Sequence, residues 1–157
     1  MSAITYATCK IDPTCPGPCQ DHRSHAQTLF DWLHGGCVFL ADALRELTGW
    51  EVVFVAPPGQ LTYGHAMARR PDGTLVDIRG AHAPDVDPRL HFPVEISGNM
   101  YMPTPSLLAR FPDLVPDVEV VPVTPAHREA WEVDEEAAAP WRRDARRVAA
   151  RLLELIK

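Results

Sequence analysis

The sequence predicts an α+β domain: one helix opening at Cys37 packs against an antiparallel sheet of four or five strands, and a helical tail extends from the C-terminal end. Three observations predict it. From Cys37 the apolar residues Leu40, Ala41, Leu44 and Leu47 recur at the spacing of one helix face, with Gly49 placed as a C-terminal stop. Residues 50–56 form an apolar, β-branched run that halts at Pro57-Pro58-Gly59, the pattern of a buried strand. Segments 63–70 and 74–79 flank Pro71-Asp72-Gly73, in which proline pre-sets the first turn position and glycine accepts a positive φ at the third. A hairpin with a three-residue loop and a bulge is expected there.

The remaining elements follow in chain order. Residues 1–23 carry little periodic hydrophobicity, and Pro13-Thr14-Cys15-Pro16-Gly17-Pro18-Cys19 lacks the amide donors a helix needs, so this part reads as an irregular arm rich in Cys and Pro. Ser24 is placed to cap a short helix in which Leu29, Phe30 and Leu33 share a face, ending at Gly35-Gly36. After the hairpin, residues 118–123 form a further strand candidate and 91–96 a less marked one. Residues 125–139 are rich in Ala and Glu. Pro140 suits the first turn of a last helix whose stripe is Trp141, Ala145, Val148, Leu152 and Leu155. The organisation is therefore an arm at 1–23, a main domain at 24–123 and a helical tail at 124–157 packed on it. Residues 126–139 hold five acids and one Arg, whereas 140–157 hold six bases and two acids. Two solvated helix faces that attract each other account for this pattern; a basic helix for a membrane surface or a partner is the other reading.

Composition limits the function. With 157 residues, 46% of them hydrophobic and 23% charged, the chain matches one domain, and it can bury roughly 70% of its unfolded surface without staples. Asp and Glu outnumber Lys and Arg by 21 to 15, so the net charge of −6 repels phosphate backbones and argues against nucleic acid as a partner. Apolar stretches such as 37–41 and 52–56 fall far short of the roughly 20 residues that span a membrane. The first 25 residues include Asp12, Asp21 and several prolines without the apolar segment of a secretory signal, so the expected location is cytoplasmic. No Gly-rich phosphate loop follows a strand, and neither a His-Glu-x-x-His helix nor a Gly-x-Ser-x-Gly elbow occurs. No cofactor is called for.

Cys37 has the strongest chemical context. It follows two glycines and opens a helix, so its sulfur lies near unpaired amides and the positive end of the helix dipole, both of which favour thiolate. Gly36 leaves room for a substrate carbonyl to reach those amides as an oxyanion hole. The plain alternative is a small buried residue at a helix start. The hairpin supplies two partners. With Pro71, Asp72 and Gly73 as the loop, Arg70 faces Thr74, His65 faces Arg79 and Met67 faces Asp77, all on one face. His65 and Asp77 then become diagonal neighbours, roughly 7–8 Å apart at the backbone, a gap their side chains close with a hydrogen bond. A slip of one residue would send Asp77 to the other face.

A second cluster competes. Cys9, Cys15 and Cys19 with His22 and His25 offer soft ligands for tetrahedral zinc, though at no signature spacing; a Cys15–Cys19 disulfide is a further alternative, and inert thiols in an irregular arm are the plain reading. His34, His82, His91 and His127 have no evident partner, with His82 the reserve candidate for a base.

Gly35-Gly36-Cys37-Val38-Phe39-Leu40-Ala41-Asp42-Ala43-Leu44, then Gly64-His65-Ala66, then Asp72-Gly73-Thr74-Leu75-Val76-Asp77-Ile78-Arg79-Gly80, resemble the papain-like cysteine protease superfamily in its compact transglutaminase-like form. The resemblance covers about residues 35–80. It implies a papain-like fold with Cys37 as nucleophile, His65 as general base and Asp77 as orienter. The implied activity is that of a cysteine-dependent hydrolase (peptidase, amidase or deamidase) working through a thioacyl intermediate on a protein or peptide substrate. A transglutaminase or other acyltransferase on the same triad stands beside it. So does a non-catalytic interaction module with a zinc-stapled N-terminal arm. Such peptidases often carry a glutamine just before the cysteine; here Gln27 lies ten residues upstream and Asp31, Trp32 or His34 stands nearer, so the second oxyanion donor stays open. Substrate selection is expected from loops 57–63, 80–93 and 97–106, with Gly36, Trp32, Tyr63 and Tyr101 as substrate contacts and Met67, Met100 and Met102 nearby.

Overall fold

A computed structural model describes residues 32, 33 and 35–156. The arm at 1–23, the helix capped by Ser24 apart from Trp32 and Leu33, and the cluster of Cys9, Cys15, Cys19, His22 and His25 lie outside the described residues, as do Gln27, Asp31 and His34.

The helix that opens at Cys37 runs Cys37–Thr48 (α1). Gly49 ends it with φ of 79°, a left-handed conformation in which its N–H donates to Arg45 O at 2.8 Å. Leu40, Ala41, Ala43 and Leu44 are buried, but Leu47, expected on the same face, is 52% exposed.

Five antiparallel strands form the main sheet: β1 (Glu51–Ala56), β2 (His65–Arg69), β3 (Leu75–Asp77), β4 (Gly80–His82) and β7 (Glu119–Pro122), in the order β4-β3-β2-β1-β7. β1 pairs on both edges, Val53 opposite Met67 on one side and Pro122 on the other, which explains why it reads as a continuous apolar run. Its residues alternate between two cores. Val52, Phe54 and Ala56 join Ala41 and Ala66, whereas Val53 and Val55 join Met67 and Leu75.

Segment 91–96 is strand only in part. A 3-10 turn occupies Pro88–His91, and β5 (Val94–Ile96) pairs with β6 (Asn99–Tyr101) in a separate hairpin. Its two-residue loop, Ser97 and Gly98, has φ of 53° and 81°, the left-handed pair that suits the strand twist. A short helix, α2 (Pro105–Arg110), follows, capped by Thr104.

The tail corrects one boundary. Helix α3 (Pro125–Trp131) ends at Glu132 in the left-handed region, φ 48°, and α4 (Glu135–Leu155) starts at Asp134, so Pro140 lies inside the last helix instead of opening it. Asp134 sets the start because its carboxylate accepts from the amides of Glu136 and Ala137. Pro140 withholds only the bond to the Glu136 carbonyl, and the packing beyond it holds the helix together. Ala145, Val148, Ala149 and Leu152 form one core with Leu40, Leu44, Val76 and Ile78. Replacing Asp134 with Ala should lower stability by about 1 kcal/mol, read as a reduced thermal midpoint with the fold retained.

Part of the tail's basic face is used within the chain. Asp42 of α1 receives Arg128 at 2.7 Å and Arg142 at 3.0 Å, Arg142 also grips Glu135, and Arg146 reaches Glu46. Among the described residues no helix is long and apolar enough to cross a membrane.

Candidate active site

Local sequence places each group. Gly36 caps α1 without a side-chain hydrogen bond, so the first amides of the helix have no side-chain cap beside Cys37. Gly35, at φ 134°, adopts a backbone that residues with a Cβ avoid. Cys37 is half-buried at this start.

The hairpin has the register its turn dictates. Arg70 N–H donates to Thr74 O at 2.8 Å, Gly73 adopts φ of 90°, and Ala68 and Arg69 pair with Val76 and Leu75. His65 and Asp77 are thereby diagonal neighbours on one face, and His65 Nε2 meets Asp77 Oδ2 at 2.8 Å. Both residues are buried, at 0% and 3% exposure. His65 Nδ1, the ring nitrogen that Asp77 leaves over, is buried with no hydrogen-bond partner among the described residues, and Cys37 is close enough to His65 for each to shift the other's titration. Since the Asp77 carboxylate accepts from Nε2–H, Nδ1 is the atom left to exchange a proton with sulfur.

Electrostatics favour the ion pair. Burial pushes the Cys37 thiol up, but the bond and charge of His65, helped by backbone groups of Ala66 and Gly35, bring it below its ordinary value. Burial pushes His65 down, yet its bonds to Asp77 and Cys37 and their charges raise it to about 9. Burial also opposes the charge of Asp77, while bonds to His65 and His82 and the Arg79 cation hold it well below the carboxylate range.

The sign of each shift defines a pH window. A lowered thiol is thiolate above its own reduced pKa, and a raised imidazole stays protonated until about pH 9, so thiolate and imidazolium coexist between the two. Alkylation of Cys37 by iodoacetamide, normalised to a free thiol of pKa about 8.5, should therefore gain relative advantage as pH falls from 8.5 toward 6. A pH–rate profile by peptide mass spectrometry checks this, and a Cys37 profile superimposed on the free thiol's contradicts it.

Asp77 is held by more than His65. Arg79 donates to it from its backbone N–H at 2.9 Å and from Nε and Nη2 at 2.9 and 2.7 Å, and His82 Nε2 bonds the other oxygen at 3.0 Å. Arg79 is itself fixed by Leu90 O and by His91 Nδ1. Burial and the Arg79 charge lower His91 to about 3, which keeps its ring neutral and able to accept that bond. These contacts correct the view that His82, His91 and His127 lack partners. His82 braces Asp77 while His65 is the imidazole that acts on Cys37, and His127 closes a capping box with Thr124. The strand expected over 74–79, with Arg79 facing His65, ends at Asp77: Ile78 and Arg79 form the two-residue turn into β4, and that turn is what folds Arg79 back onto Asp77. His91 had no signal in the sequence, because only tertiary folding brings it near.

A cavity of about 320 Å³ opens beside Cys37. Gly35 and Gly64 border it without side chains, and Val38, Phe54, Trp131 and Val133 supply apolar walls. Of the expected substrate contacts, only Gly36 stays adjacent to the thiol, as the cap of α1. Trp32 is a correction: it is fully buried, edge-on to Trp141 at 5.4 Å, because the core between α1 and α4 encloses its indole. Tyr63 and Tyr101 stand outside the lining of this cavity. Thr62 and Gly64 border the cavity, while Tyr63 between them turns the other way, its hydroxyl donating to Pro93 O at 3.1 Å. Tyr101 is half-exposed on β6, away from the cavity wall. Met67 is buried in the core behind the sheet. Loops 80–93 and 97–106 contribute nothing to the lining; the tail does so through Ala130, Trp131 and Val133.

Among the described residues no group of three or more His, Cys, Asp or Glu side chains is arranged to hold a metal ion. No protein-family model, curated protein or solved structure matches the chain.

Proposed function

We propose that this protein is a cysteine-dependent hydrolase of papain-like architecture, in the compact transglutaminase-like form, that cleaves an amide bond through Cys37, His65 and Asp77. The observation that carries the proposal is the buried 2.8 Å bond from His65 Nε2 to Asp77, which leaves Nδ1 to the thiol at the start of α1. A nucleophile, a base and an orienter in that relation are what covalent acyl transfer requires.

The steps follow from the charges. The Cys37 thiolate attacks the carbonyl carbon, and the oxyanion is received by the uncapped amides at the start of α1. The C–N bond breaks, the amine leaves with the proton of the His65 imidazolium, and the acyl group remains on sulfur as a thioester. Water then loses a proton to His65 as it attacks, the C–S bond breaks, and the acid departs with the thiol pair restored. An amine in place of water makes the same cycle a transfer, and a peptide or protein amide is the proposed natural substrate.

The test is acyl-enzyme trapping with p-nitrophenyl butyrate. We expect a burst of p-nitrophenol matching one acyl group per chain, located on Cys37 by peptide mapping, followed by slower turnover. Acylation spread over Cys9, Cys15 and Cys19, or Cys37 acylation no faster than that of a free thiol, overturns the proposal.

A further inference from the structure

We infer that the cavity beside Cys37 accepts an uncharged, apolar group of the substrate, an aliphatic or aromatic side chain or acyl chain. This deepens the hydrolase reading and rests on it for the identity of the reacting bond. Three features of the cavity point to this occupant. Its volume, about 320 Å³, lies at the lower end of the roughly 300–1,000 Å³ range of ligand pockets, room for one large apolar group beside the reacting carbonyl. Among the described lining residues none but Cys37 is ionisable, and Thr62 brings the one hydroxyl, so an ionic group seated there would find no compensating charge on the walls. Finally, Cys37 itself lines the cavity, so an apolar group seated there extends from a carbonyl positioned against sulfur.

The far wall is built and fixed. Trp131 Nε1 donates to Leu61 O at 2.6 Å, its ring meets Phe54 at 5.3 Å, and the Arg128 guanidinium stands 5.5 Å over it. Arg128 in turn is bound to Asp42 on the helix that carries Cys37. The specificity wall is therefore tied to the nucleophile's own helix, and Val133, just beyond the left-handed Glu132, completes it.

The test uses alkylating probes that share one reactive end, so that it does not depend on hydrolysis: iodoacetamide, N-hexyl-iodoacetamide and N-(5-carboxypentyl)-iodoacetamide, each rate normalised to the same thiol in denatured full-length chain. Burial of apolar chain yields up to about fourfold per methylene. The hexyl probe should label Cys37 at least tenfold faster than iodoacetamide, and the carboxypentyl probe should lose that advantage. Val133→Asp should cut the hexyl-to-iodoacetamide ratio about tenfold, and Ala130→Leu, which fills the same space without adding charge, should cut it as well. Equal normalised rates for the three probes, or a preference for the carboxylate, overturn the pocket assignment. Those results leave the hydrolase reading standing if p-nitrophenyl butyrate still acylates Cys37; failed acylation together with a strong hexyl preference sinks the hydrolase reading alone.

Discussion

Asp77→Asn is expected to slow acylation of Cys37 by about 10³–10⁴-fold, the scale seen when a buried carboxylate that orients a catalytic imidazole is neutralised. The carboxylate accepts from His65 Nε2–H, which leaves Nδ1 free toward sulfur. An asparagine amide can present its NH₂ to Nε2 and favour the opposite tautomer, placing a hydrogen where the thiol proton must go. The structural cost is separate. Asp77 neutralises Arg79, whose side chain is 18% exposed, and removing the buried charge leaves that guanidinium facing His82 and His91, worth about 3–5 kcal/mol. Chemical denaturation measures the stability loss and acyl-enzyme kinetics the rate loss. A variant with wild-type acylation removes Asp77 from the mechanism.

Gly64→Ala is expected to cost about 1–3 kcal/mol of stability and on the order of 10² in acylation rate. A Cβ on Gly64 would overlap the carbonyl oxygen of Val55 and stand 2.8 Å from Phe54 Cζ and 3.0 Å from Ala56 Cβ. The first of these is backbone inside the β1–β2 pairing, where His65 faces Val55, so it has little room to yield. The start of β2 must shift instead, and His65 shifts with it. Restored acylation in a double variant that also trims Phe54 would identify the ring as the obstacle; a persistent defect assigns it to the carbonyl. Full activity in Gly64→Ala itself contradicts the close approach.

Much of the site was legible because turn chemistry is local. Pro71-Asp72-Gly73 sets a three-residue loop, the loop sets the register, and the register places Asp77 diagonally from His65. The helix from Cys37 was legible for the same reason, from apolar spacing and a terminal glycine. β4, β6 and α2 were not, since strands of three residues and a six-residue helix show too few periods to stand out from proline-rich loop. Trp32, five residues before Cys37 in sequence, does not face the cavity, because its large apolar ring is buried against Trp141.

By itself the sequence determined the helix that opens at Cys37, the hairpin register and the order of the three polar groups, since each depends on residues a few positions apart. Only the tertiary structure decided what surrounds them. The clamp of Arg79, His82 and His91 on Asp77, and the wall that Trp131 and Val133 place beside Cys37, join segments distant in the chain. Which distant faces meet is set by burying the apolar stripe of α4 against α1 and the sheet, a cooperative choice that no short window of residues encodes.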